Sequence, residues 1–169
     1  IRSSSGDLVG IVGRRRTSDF GKYKVYTTEL MKYGIHMPTF AKAEYLWRED
    51  RCFTGSRELY VVEGFKAALW FVQAGFENVA ALMGSHMTEA QEYKLLSSGK
   101  RIVLCLDNDD AGIKGTLKIS HKLSGTRRRI VPLPDGIHQP DDLTEEELRE
   151  LCSAPISVSE ARRRWQKYR

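Results

Sequence analysis

Arg101-Ile102-Val103-Leu104-Cys105-Leu106-Asp107-Asn108-Asp109-Asp110-Ala111-Gly112 is the stretch that decides the fold. After Arg101 it is apolar for five residues, as a strand buried on both faces should be. It then runs without a break into three aspartates and a glycine. Side chains alternate along an extended chain, so Asp107 and Asp109 share a side wherever the extension continues. In an open parallel sheet, ligands bind beyond the carboxyl ends of the strands. The acids stand where such a site belongs.

The same pattern recurs upstream, where Glu58-Leu59-Tyr60-Val61-Val62 runs into Glu63-Gly64. Around these two strands the chain alternates. Helices are expected over 64–74, 88–96, 111–123 and 144–151, with further strands over 78–82 and 129–133. Thr88 is a candidate N-cap, and Thr144 with Glu147 makes a capping-box pattern. Strands alternating with helices predict an α/β fold with a mostly parallel sheet covered on both faces. Residues 1–54 read as a small mixed α+β subdomain, with strands over 7–14 and 22–26 and a short helix over 40–47. Residues 55–152 form the α/β domain. Residues 153–169 are broken by Pro155 and carry a basic helix over 160–169, capped by Ser159. That helix fits a linker, a nucleic-acid-binding element or the start of a further module.

Three carboxylates at two strand ends repel one another unless a cation lies between them. Oxygen donors of this kind suit a hard divalent ion. The competing reading of Asp109 and Asp110 is helix capping before Ala111, and that of Glu63 is a surface acid. A third acidic loop, Pro134-Asp135-Gly136 to Pro140-Asp141-Asp142-Leu143, follows the strand over 129–133. Asp141 or Asp142 could equally cap the next helix. Gly64 and Gly112 are expected to let the backbone turn sharply.

The 169 residues carry 27 Lys and Arg against 22 Asp and Glu, a net charge of +5 that favours a polyanionic partner. Arg triplets occur at 14–16, 127–129 and 162–164, while the acids gather at 107–110 and 141–150. Three scattered cysteines, Cys52, Cys105 and Cys152, give no zinc-site spacing. They suit reduced thiols, and so a cytoplasmic protein. No run approaches a membrane span, and the first residues lack the apolar core of a signal peptide. The chain starts at Ile1 without an initiator Met, as a processed or shortened chain would.

Val62-Glu63-Gly64 followed by Asp107-Asn108-Asp109-Asp110-Ala111-Gly112 resembles the Toprim pattern of DnaG-type primases, topoisomerases and some nucleases. The primase branch is the nearer resemblance. Ala81-Leu82-Met83-Gly84-Ser85-His86-Met87-Thr88 is similar to its leucine-glycine turn, and the 134–143 loop to its closing proline-aspartate segments. Upstream, Gly13-Arg14, Lys22-Tyr23 and Phe40-Ala41-Lys42 with Leu46-Trp47 are similar to the small subdomain that precedes Toprim in primases. Two positions depart from the pattern. Ala67 stands where an Asp often follows the Glu, and Gln139-Pro140-Asp141 replaces D-P-D. The number of metals is therefore open.

The resemblance implies a primase catalytic core that makes short RNA primers on single-stranded DNA from ribonucleoside triphosphates. It implies Mg²⁺, with Mn²⁺ able to substitute, held by Glu63, Asp107, Asp109 and Asp141. Glu63 is a metal ligand or a general base. Arg14, Lys22, Lys42, Lys66 and Gly84 are the candidates for nucleotide or DNA binding; ordinary solvated surface is the competing reading for each cation. A replicative helicase partner is implied, as is a zinc-binding domain that is separate or missing here. That fits a fragment of a larger replication protein, or a compact phage or plasmid primase, in a bacterial cell or a phage-infected host. The alternatives are a Toprim nuclease using the same carboxylates and a non-catalytic nucleic-acid-binding module. A topoisomerase would need strand-passage domains that this length does not hold.

Overall fold

A computed structural model describes residues 1–14, 23–26, 34 and 40–168. Its centre is a four-stranded parallel sheet. The strands are β3 (Glu58–Val62), β4 (Val79–Ala81), β5 (Arg101–Leu104) and β6 (Arg128–Ile130), in spatial order β4-β3-β5-β6. β3 and β5 take the middle, where both faces and both edges are covered. Register places Val62 beside Ala81, Val61 beside Leu104, and Leu104 beside Ile130. The carboxyl ends therefore open together onto one rim.

Alternation splits the sheet's side chains between two cores. On one face Leu59, Val61, Ile102, Leu104 and Ile130 pack with Leu95 of α3 (Glu89–Ser97) and Ile113 and Ile119 of α4 (Asp110–Lys122). On the other, Tyr60, Val62 and Val103 pack with Ala68 and Phe71 of α2 (Phe65–Gln73) and Leu148 of α5 (Glu145–Ser153). The capping box of Thr144 with Glu147 forms, and Thr88 is the N-cap of α3, in a box with Gln91 that its candidacy alone did not specify. Asp141 and Asp142 do not cap α5.

Both sheet edges are closed by single antiparallel bridges, Trp47 to Ala81 and Ile156 to Ile130. This corrects the helix expected over 40–47. Only a 3-10 turn forms, at Lys42–Glu44, because the backbone of Trp47 is bonded to the sheet edge at 2.9 and 3.3 Å. A one-turn helix, α1 (Glu49–Cys52), follows instead. The strand expected over 129–133 ends at Ile130, ahead of Pro132, which has no N–H to donate. The last helix, α6 (Val158–Arg164), is capped by Ser157 rather than Ser159 and is shorter than expected. Ala161 and Trp165 sink into the first core.

The first residues form the antiparallel pair β1 (Ile11–Arg14) and β2 (Tyr23–Tyr26). Val9 and Phe40 pack on Phe65 and Met83. A buried ion pair fixes the same region to α3. Glu49, 2% exposed, meets Lys94 at 2.7 Å and accepts from the N–H of Ser4 at 3.0 Å and of Leu46 at 2.8 Å. Among the described residues no helix is long and apolar enough to cross a membrane.

Candidate active site

Glu63 follows β3 and Asp107 follows β5, so neighbouring parallel strands deliver both to the same rim. Asp109 is the N-cap of α4: its Oδ1 accepts from Gly112 N–H at 2.7 Å. Asp109 therefore does cap the helix, and it remains close enough to act on its acidic neighbours. Gly112 is required for a reason other than a turn. A Cβ there would sit 2.1 Å from the Asp107 carbonyl oxygen, so α4 can start this close only over a glycine. Gly64 has ordinary extended backbone and open space around it; no sharp turn depends on it.

The acidic loop is stitched to the loop after β6 by Asn108, a residue to which the motif alone assigns nothing. Its N–H donates to His138 O at 2.8 Å, and its amide donates to Pro134 O and Ile137 O at 3.1 Å. Alternation is the available signal, since Asn108 points away from the side that Asp107 and Asp109 share. These bonds hold the 134–143 loop against the rim. Its 3-10 turn, Pro140–Asp142, is fixed by Asp142 accepting from Gln139 N–H at 3.0 Å.

Asp141 reaches the rim from that turn. Its side chain is 2% exposed, and its Oδ2 lies 2.5 Å from Lys66 Nζ. The contact is a close ion pair, and it buries that oxygen. Lys66 is thus a partner of the acidic cluster. The Asp141 carboxylate raises its pKa, and Arg14 opposes the shift, which puts Arg14 on the same side of the molecule.

Burial, then the charges of Glu63, Asp109, Asp141 and Asp142, push Asp107 up to about 7. Burial and Asp109 raise Glu63, while His86 and Lys42 pull it down. Lys42 Nζ would lie 3.5 Å from a Cβ at Gly84, so the lysine and the glycine turn meet beside Glu63. Met83, just before the turn, takes a left-handed φ of 63°. His86, which shows no ligand spacing in the sequence, hydrogen-bonds Ser85 Oγ at 2.9 Å within reach of Glu63. Lys22 lies outside the described residues.

Repelling carboxylates fit a divalent cation in donor chemistry. Their spacing is open: among the described residues no three acid, imidazole or thiol groups stand close enough to hold an ion. Glu63, Asp107, Asp109 and Asp141 would have to draw together on it.

The family described as Toprim-like matches residues 60–144, the segment that carries every one of these acids. The chain is 32% identical over 174 residues to a DNA primase of Rickettsia prowazekii, covering 95% of this chain and 28% of that protein. It is 29% identical over 149 residues to a DNA primase of Lactococcus lactis, covering 86% and 22%. It spans only about a quarter of the length of these relatives. Among solved structures, it superposes on the zinc-binding and RNA polymerase domains of the Aquifex aeolicus primase with a TM-score of 0.76. There the identity is 25%, over 99% of this chain and 45% of that one. For a DNA primase domain from Pseudomonas aeruginosa the TM-score is 0.73 at 26% identity, over 92% and 49%. Primases and Toprim-like domains depend in general on divalent metals.

Proposed function

The chain belongs to the Toprim-like family, and from that premise we propose that it is the catalytic core of a DnaG-type primase. It joins ribonucleoside triphosphates into a short primer on a single-stranded DNA template. The observation that carries this is the convergence of Glu63, Asp107, Asp109 and Asp141 on one rim, where burial and then its acidic neighbours push the Asp107 pKa up to about 7.

A bound Mg²⁺, or Mn²⁺ in its place, would neutralise charge on the transferred phosphoryl group. The residues do the rest. Asp107, Asp109 and Asp141 would hold the cation. Glu63 is a further ligand, or takes the proton of the primer 3′-hydroxyl at its carboxylate; its raised pKa suits the second role. Lys42, at the Gly84 turn, and Arg14 meet phosphates of nucleotide or template. Lys66 pairs with the Asp141 carboxylate and holds it at the rim. The related primases are far longer than this chain, so a zinc-binding domain and a helicase contact belong to the same proposal.

The test is label incorporation on single-stranded DNA with ribonucleotides and Mg²⁺ or Mn²⁺. Ladders of short RNA, lost in Asp107→Ala, are expected. Template breakdown without nucleotides would overturn this reading in favour of a nuclease. Metal-independent DNA binding with no turnover would overturn it in favour of a binding module.

A further inference from the structure

A groove of about 310 Å³ opens between α4 and the 85–87 loop. Lys114, Lys118 and Lys122 line it at four-residue spacing, which puts them along one helix face. Its floor is apolar, made by the buried side chains of Met87 and Ile119. Gly115 lies between the lysines, and a Cβ there would sit 3.4 Å from Ser85 O. The missing side chain lets the loop close in on the helix. Lys122 is paired with Glu92 at 3.1 Å. Among the described residues Lys114 and Lys118, both exposed, have no ion-pair partner. Free positive charge is therefore greatest at the Ala111 end of the groove. His86, at its mouth, acts on Glu63, so the groove begins beside the acidic rim.

We propose that this groove is a track for single-stranded DNA, with Lys114 and Lys118 on successive phosphates and a base lying against Met87 and Ile119. Four helical residues rise about 6 Å, the order of the spacing between phosphates on an extended strand. A cationic wall over an apolar floor suits a strand whose bases are unpaired. The lining favours DNA over RNA. A 2′-hydroxyl is recognised by polar side chains, and the hydroxyl of Ser85 and the imidazole of His86 here are bonded to each other. The inference rests on the primase reading for its place in the reaction, but binding is measurable without turnover.

The experiment is fluorescence anisotropy of the intact chain with labelled oligo(dT), across a salt series and without divalent metal. Lys114→Ala/Lys118→Ala is expected to weaken binding about tenfold at low salt. The slope of log affinity against log salt should fall by about 1.4, about 0.7 for each phosphate that no longer meets a lysine. Lys114→Arg/Lys118→Arg should keep both. An alanine variant that melts like the parent and binds with unchanged affinity and slope overturns the track. An equal or larger loss on oligo(rU) overturns the assignment to DNA. If no primer is made while lysine-dependent binding persists, the primase reading falls and the groove stands. If primers are made while the alanine pair binds normally, the groove alone falls.

Discussion

Asp107 carries the largest electrostatic burden at the rim. It holds its proton up to about 7 when folded without metal, well above the ordinary carboxylate range. The folded state therefore binds more protons than the unfolded chain between that range and neutrality, so stability falls as pH rises through this window. A divalent cation competes with that proton. We predict that Mg²⁺ raises the melting temperature more at about pH 8 than at about pH 5; equal shifts at the two would contradict the cluster. Gly112 gives a second prediction. Its Cβ would collide with the Asp107 carbonyl, so Gly112→Ala should cost about 3 kcal/mol or more in a urea titration and displace Asp107. Both residues were legible in the sequence, but for Gly112 the reason was not. A turn could be read from the string, whereas the approach of α4 to a particular carbonyl exists only once the helix is packed.

Elements with strong local signals form as their residues require. β3 and β5 are buried apolar runs, and Thr88 and Thr144 cap as their spacing demands. The departures share one cause. Trp47 looks helical in the sequence and Ile156 falls in a linker-like stretch, yet each closes a sheet edge, and edges join residues far apart in sequence. The same applies to Glu49, whose acid is buried against Lys94, 45 residues away. Removing one partner of a buried, fully bonded pair leaves the other uncompensated, so Glu49→Ala should cost about 3 kcal/mol. Lys94→Ala would strand the buried Glu49 carboxylate without its counter-charge, so it should cost at least as much. Equal melting of Glu49→Ala and the parent would mean that the N-terminal segment is not anchored to α3 in this way.

At the scale of the molecule, a basic chain concentrates its acids where parallel strands end together. The sheet supplies the convergence, Asn108 ties in the third loop, and Lys66 pairs with Asp141. The four acids and the turn at Gly84 were legible in the sequence, but His86 was not, because Glu63, on which it acts, lies in a different strand-end loop. The most direct measurement is the rate of first phosphodiester bond formation in Asp107→Asn, a variant that keeps the side chain's shape and removes its charge. A loss of about a thousandfold is expected, equivalent to about 4 kcal/mol of transition-state stabilisation, in a protein that melts at or above the parent's temperature without metal. A rate within about tenfold of the parent would contradict the assignment of this rim as the catalytic metal site.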